Sequence, residues 1–365
     1  MQKLTALLHK GAIHIVGRDR LSFFCSNTFN HLTRRLSPFL WSFELQAQVL
    51  QRRMETPEVV SFELLPNQYW QAPQAGQCVE ISYQVEGQTL ERAYSISTLN
   101  PHSFWITVKR QGLVSSALHE KLQVGDILKL RGPWGQFVYQ GQKSILLICA
   151  GSGITPCFAI LADLLARPVE TRPHIQFYAQ FRQPQDTIFA ETLKQIQTAG
   201  LQLDLAYSQA PAAGTLPALN AENFREVFPH FDQQDIYLCG PEGFQQTVLQ
   251  ALETYAYPRE HLHLEHFGPP TSSPLGAELS ESAPLPEVYF SPYHCRIQMR
   301  PEDRQKTLLE LGLEHGLNLE KGCRKGYCGS CKLVLHAGEV QGQTQGKAVY
   351  ICSAYAKSKR VVLGY

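Results

Sequence analysis

The sequence predicts a multidomain protein: an antiparallel β-barrel, an α/β domain on a parallel sheet, and a small α+β domain. Three observations carry this. Six short runs rich in β-branched and aromatic residues, separated by turn signals, occupy residues 43–139. Apolar strands alternate with helical patterns over 140–267, the texture of a doubly wound parallel sheet. A Pro-, Ser- and Gly-rich linker, 268–287, then sets off residues 288–365.

Each element has a local reason. The first domain holds ELQAQVLQ, VVSFELLP, CVEISYQV, RAYSIST, SFWITVK and DILKLRG. Their roughly even spacing suits a small antiparallel barrel. In the second, SILLICA, HIQFYAQF, LQLDLAYS and DIYLCG read as buried strands. TPCFAILADLLA, AETLKQIQTA and GFQQTVLQALETY read as helices between them. In the third, EVYF and CRIQMR form a hairpin, KTLLELGLEHG a helix, and KLVLHAG and RVVLGY further strands. Residues 1–42 form an N-terminal extension. Its stretch LSFFCSNTFNHLTRRLSPFLW mixes aromatic residues with two arginines at poor helical period. It suits packing on the barrel or, alternatively, contact with a membrane surface or partner.

Composition excludes several classes. With 33 basic and 32 acidic residues the formal net charge is +1, which gives no sign of a nucleic-acid partner. A hydrophobic share of 44% is that of a globular protein. No apolar run is long enough to span a bilayer. The first residues lack the apolar core and cleavage site of a signal peptide. The expected location is therefore cytoplasmic, with peripheral contact at the inner membrane face as the variant.

Ten cysteines are spread along the chain, too few for a disulfide scaffold. In a reducing compartment, clustered cysteines more often bind metal or do chemistry. Cys323, Cys328 and Cys331 stand as C-x4-C-x2-C, and Cys352 follows after 20 intervening residues. That spacing matches the plant-type [2Fe–2S] pattern, four thiolates holding two irons. Gly322, Gly326 and Gly329 flank the ligands. They let a loop curl tightly and aim backbone N–H groups at sulfur. A structural zinc site, the alternative, usually takes two C-x2–4-C pairs instead. Cys25, Cys78, Cys157 and Cys295 match no site pattern and read as small core residues.

RAYSIST, residues 92–98, resembles the flavin motif of the ferredoxin–NADP reductase family. The resemblance continues in GLVSSAL (112–118), GPWGQF (132–137), ICAGSGITP (148–156) and CGPEGF (239–244). With the cysteine loop it covers roughly residues 44–365. The order of barrel, nucleotide domain and ferredoxin domain is similar to that of oxygenase and desaturase reductases. It is nearest to the electron-transfer partners of bacterial fatty acyl desaturases. The resemblance implies a β-grasp fold for the last domain, FAD (with FMN less favoured), and NAD(P)H as electron donor.

It also implies roles. Arg92 clamps a flavin phosphate, Tyr94 packs on the flavin, and Ser95 hydrogen-bonds near its reactive nitrogen; Ser97 and Thr98 complete the motif. Strand alternation places Arg92, Tyr94 and Ile96 on one face and Ala93, Ser95 and Ser97 on the other. Gly112, Ser115 and Ser116 open a helix whose N-terminus suits the flavin pyrophosphate. Gly151 and Gly153 let the backbone approach a dinucleotide phosphate, with Thr155 and Pro156 in the first helical turn. Proline at the third glycine position of G-x-G-x-x-G argues against a standard Rossmann dehydrogenase. Cys239, with Gly240 and Pro241, borders the nicotinamide, and Ser95 and Cys239 are the candidate catalytic residues. Glu265 and Phe267 resemble residues near the flavin.

Nucleotide preference rests on two positions. HIQFYAQF ends at Phe181 without a carboxylate, and Arg182 follows, which leans toward NADPH. In YSQ, Ser208 is followed by Gln209 where the family's phosphate-binding arginine would stand, which leans the other way; on balance the expectation is NADPH, with use of both nucleotides as the alternative.

The expected activity is an NAD(P)H-dependent reductase passing electrons through FAD and a [2Fe–2S] cluster to a redox partner protein. The first expectation for that partner is a membrane fatty acid desaturase. Alternatives are a ring-hydroxylating or other oxygenase, or a hybrid-cluster protein. A redox sensor is the reading from another class, and no DNA-binding or effector module accompanies it.

Overall fold

The structure, a computed structural model, describes Phe39, Ser42, residues 44–210, 215–267, 285–319, Gly326, Gly329 and 331–365. The N-terminal extension apart from Phe39 and Ser42, most of the linker, Cys323 and Cys328 lie outside the described residues, as does Cys25. Two compact units result. One holds the first two sheets through Leu264, and the other holds Glu265–Tyr365 with Trp134–Gln136.

The six predicted runs become β1 (Gln46–Thr56), β2 (Val59–Pro66), β3 (Cys78–Val85), β4 (Gln88–Leu99), β5 (Phe104–Lys109) and β6 (Ile127–Trp134). They close into a barrel in the order β1-β2-β5-β4-β3-β6. Val60, Phe62, Leu64, Ile81, Ile96 and Ile106 fill its interior, essentially without exposure. Burial stabilises by roughly 1.5–3 kcal/mol for each such side chain. The alternate residues of β2, Val59, Ser61 and Glu63, point out of the barrel, yet they are buried too. An outer barrel face that excludes water must have something packed on it. A helix, α1 (Leu113–Lys121), sits between β5 and β6 in sequence.

The second sheet has the order β11-β10-β7-β8-β9, from β7 (Ser144–Ala150), β8 (His174–Phe181), β9 (Gln202–Tyr207), β10 (Asp235–Gly240) and β11 (Leu262–His266). Pairing of β7 with β8 and β10, and of β8 with β9, is parallel, as the alternating pattern predicts. The helices between are α2 (Ile154–Leu165), α3 (Ala190–Thr198) and α4 (Glu242–Thr254). Nine of the twelve residues of α2 are buried, because α2 packs on β7 and β10 and also against β4 of the barrel. It covers the outer face of the barrel at β4.

The last sheet is mixed, ordered β13-β12-β17-β14-β16-β15: β12 (Glu287–Phe290), β13 (Cys295–Gln298), β14 (Lys332–Ala337), β15 (Val340–Gln345), β16 (Ala348–Ala356) and β17 (Arg360–Gly364). Only β12 and β17 pair in parallel. The helix α5 (Leu308–Glu314) starts at a capping box. Thr307 Oγ1 accepts from Glu310 N at 3.2 Å, and Glu310 Oε2 accepts from Thr307 N at 2.8 Å. Leu308, Leu309 and Leu311 then pack into one core with Val288, Phe290, Val349 and Val361. The hairpin β15–β16 has no counterpart among the strands read from the sequence. Its residues, VQGQTQGKAVYICSAYA, are too polar in the first half to show a strand pattern.

Candidate electron-transfer site

On the barrel, β3 and β4 pair so that Cys78 lies opposite Ser95, and Val79 opposite Tyr94. Tyr94 leans on the barrel core. Burial pushes its hydroxyl well above the usual phenol value, and the nearby Arg92 cation offsets this in part. Arg92 is exposed and donates from Nη1 to Glu91 O at 2.8 Å. The register of β4 against β5 slips between Ile96 and Thr98. The expected alternation thus breaks at Ser97, in the manner of a β-bulge beside a functional site.

The buried hydroxyls of this face divide into two kinds. Ser61, Thr107 and Ser97 form a chain, 2.8 and 3.0 Å apart, that ends on Trp105 O at 3.2 Å. Ser95 is 5% exposed, and its Oγ has no hydrogen-bond partner among the described residues. A buried orphan hydroxyl costs about 1–3 kcal/mol, so it calls for a partner from outside the chain. A polar ring nitrogen of a flavin is such a partner, and the site fits the group. Thr98 is half-buried at the end of the same strand.

At α1 the geometry separates the three residues. Gly112 is exposed and Ser116 half-buried. Ser115 Oγ is already engaged: it accepts from Gln111 N and Gly112 N, both at 2.9 Å, and donates to Gly112 O at 3.0 Å. Ser115 therefore holds the turn entering the helix and engages the Gly112 N–H, which leaves the side chain of Ser116 for a phosphate.

In the nucleotide domain a cleft of about 200 Å³, open to solvent, lies at the carboxyl ends of the strands. That is where open α/β sheets bind ligands. It gathers Gly151 and Ser152 after β7, Phe181 and Arg182 after β8, Ser208 after β9, and Pro241 with Phe244 after β10. The barrel contributes Thr56, Glu58, Val59 and Lys109. Glu58, Lys109 and Asp186 went unmarked in the sequence, because no motif links the barrel turn to the nucleotide loops. Arg182 Nη2 donates to Glu58 Oε2 at 3.2 Å, and its Nε lies 3.6 Å from Asp186 Oδ2.

The two glycines of AGSGITP do different work. Gly151 has φ +52° and open space where a side chain would point. Gly153 lies so close to β10 that a Cβ would sit 2.4 Å from Cys239 O. Its lack of a side chain serves the packing of strand on helix, where a close approach to phosphate was expected. Thr155 is buried and its Oγ1 donates to Ser152 O at 2.9 Å; Pro156 is buried in the first turn of α2. Gly240 is buried with Phe244 Cδ1 only 2.9 Å from its virtual Cβ. Cys239 is fully buried, in register with Cys149 on β7, and does not line the cleft. Burial first, then the Cys157 thiol beside it and the neighbouring Cys239, push the Cys149 thiol well above its ordinary value.

In the last domain, Cys331 and Cys352 are 3% and 5% exposed, at the start of β14 and within β16. Ile351 N donates to Cys331 O at 3.3 Å and brings the two together. Gly326 N donates to Cys352 Sγ at 3.1 Å. Gly326 and Gly329 have φ of +83° and +81°, the left-handed region that glycine enters without penalty. A loop amide aimed at a buried thiol sulfur suits a thiolate carrying cluster charge. The donor set fits [2Fe–2S]. Phe267, half-buried, ends the segment after β11.

Comparison with known proteins agrees. Residues 56–139 match the oxidoreductase FAD-binding domain family, 147–250 the oxidoreductase NAD-binding domain family, and 295–357 the 2Fe-2S iron-sulfur cluster binding domain family. The glycine betaine monooxygenase reductase subunit of Chromohalobacter salexigens is 30% identical over 298 residues, covering 74% of this chain and 79% of that one. The FAD/NAD-binding domain of nitric oxide dioxygenase from Vibrio cholerae superposes with TM-score 0.56 at 30% identity, over 62% of this chain and 99% of that one. Phthalate dioxygenase reductase shares the fold, with TM-score 0.55 at 22% identity over 88% of this chain and 97% of that one.

Barrel, cleft and cysteine sheet together define a flavin and iron–sulfur oxidoreductase, in which electrons pass from NAD(P)H to FAD, to a [2Fe–2S] centre and on to a partner protein. The chain belongs to the ferredoxin–NADP-reductase-type flavoproteins with a C-terminal ferredoxin domain, the family of the glycine betaine monooxygenase reductase subunits. Among the expected acceptors, the desaturase gives way to the oxygenase alternative, since the relative at 30% identity over 298 residues is a monooxygenase reductase subunit. Among the described residues no helix is long and apolar enough to cross a membrane.

Proposed function

We propose that this chain is the reductase component of an oxygenase and delivers electrons to a separate oxygenase protein. The observation that carries this is the 30% identity over 298 residues with a monooxygenase reductase subunit. Bound FAD would supply the step from a two-electron hydride donor to a one-electron acceptor. The chain's own residues bind and orient. Ser95 Oγ is the buried polar atom free to meet the flavin ring, Tyr94 packs beside it, and Arg92 reaches the phosphate. Ser116 takes the pyrophosphate at the start of α1, beside the Gly112 turn that Ser115 holds. Gly151, Ser152, Ser208 and Pro241 receive the dinucleotide in the cleft, and Phe244 shields it. Cys323, Cys328, Cys331 and Cys352 hold the cluster. Cys239, buried beneath the strand end, acts by leaving room for the ring rather than through its thiol.

The test is reconstitution. The flavin- and cluster-loaded chain is mixed with an oxygenase component of the glycine betaine monooxygenase kind, and NAD(P)H consumption is followed with product formed. Tight coupling supports the reading. Coupling to a fatty acyl desaturase in membranes, with none to oxygenases, would restore the desaturase alternative.

A further inference from the structure

We infer that Glu58 and Asp186 make the cleft selective for NADH by occupying Arg182, the cation that a 2′-phosphate would need. This deepens the reading above and rests on the cleft being the dinucleotide site. Taken alone, Arg182 after β8 suggests a phosphate clamp. In the fold it is held from two sides: Nη2 donates to Glu58 Oε2 at 3.2 Å, and Nε faces Asp186 Oδ2 at 3.6 Å. Glu58 comes from the turn between β1 and β2, so the barrel itself reaches into the nucleotide pocket.

The charges along this side of the cleft are two carboxylates, Glu58 and Asp186, against two cations, Arg182 and Lys109. No positive excess is left to receive a dianion, and either carboxylate repels one. A ribose hydroxyl meets a different situation. It is a neutral donor, and Asp186 Oδ2 has no hydrogen-bond partner among the described residues. The remaining neighbours add no charge: Ser208 Oγ leans on Phe181 O at 3.5 Å, and Gln209 binds Arg182 O through its own N–H at 2.9 Å. The Arg182 and Glu58 side chains are about half exposed, at 53% and 56%, so salt screens their pairing.

The experiment compares kcat/KM for NADH and NADPH on the flavin-loaded full chain, with ferricyanide as acceptor. The wild type should favour NADH by about tenfold or more. Glu58→Gln should raise the NADPH/NADH ratio of kcat/KM about tenfold, and Asp186→Asn should move it the same way. Adding Arg182→Gln to Glu58→Gln should take the gain back. Rising ionic strength should lift the wild-type ratio, an effect that mere loss of packing would not produce. A wild type that prefers NADPH, or a ratio unmoved by Glu58→Gln, overturns the inference. A separate variant tests the cleft itself: Gly151→Val should raise KM for both nucleotides. If it raises neither, the site assignment fails; if it raises both while Glu58→Gln leaves the ratio unmoved, only the selectivity claim fails.

Discussion

The cluster site and the dinucleotide cleft are built on opposite principles. Three of the four candidate cluster cysteines stand within nine positions of sequence, and the fourth, Cys352, lies on strand β16. The cleft draws one to three residues from each of several strand ends and others from the barrel. Residues 124 apart in sequence, Glu58 and Arg182, touch there. A site whose chemistry is local can be found by spacing alone. A site whose chemistry is shared among distant loops shows its anchors in sequence and hides its modifiers. Arg182 could be picked out as a cation after β8, but what neutralises it could not.

The comparison can be broken most sharply at the cluster. Cys352→Ser should remove the iron–sulfur absorbance and cut cytochrome c reduction by on the order of a hundredfold or more. Ferricyanide reduction straight from the flavin should survive. Undiminished cytochrome c reduction would take the cluster off the electron route.

The paired glycines come next, because they test which contacts are packing and which are ligand. Gly153→Val would drive a side chain into the backbone of Cys239 and Gly240. Thermal melting should show a loss of about 3 kcal/mol or more, or no folded protein. Gly151→Ala meets open space and only the strain of φ +52°. Its loss should be about 1 kcal/mol. Equal melting losses at the two positions would refute the division of labour.

The two serines of the flavin domain give the finest cut. Ser95→Ala removes a hydroxyl that has no hydrogen-bond partner among the described residues. It should leave stability intact while flavin reduction slows about tenfold in stopped flow. Ser115→Ala removes an acceptor for two backbone amides and should cost about 1 kcal/mol of stability with flavin reduction retained. If the two effects exchange, the roles assigned from burial and hydrogen bonding are reversed.

The architecture itself was plain in the residues. Strand runs of alternating or continuous apolar character, such as VVSFELLP and SILLICA, became β2 and β7 because packing on one or both faces agrees with their local preference. β15 escaped because its six residues, VQGQTQ, carry a single apolar side chain; backbone pairing with β16 makes it a strand. The bulge at Ser97 escaped because register is decided by the partner strand, here β5. The true duty of Gly153 escaped because a glycine in sequence does not say whether backbone or ligand comes close.

Cys149, Cys157 and Cys239 lie side by side with no surface exposed. Burial pushes the Cys149 thiol well above its ordinary value, and no aqueous reagent reaches the three while the domain is closed. This makes them an internal clock. The rate at which a thiol probe marks these three, with protein concentration and cofactor loading held fixed, reads how often the parallel sheet parts from α2. Any ligand that holds the cleft shut should slow that clock in proportion to its occupancy.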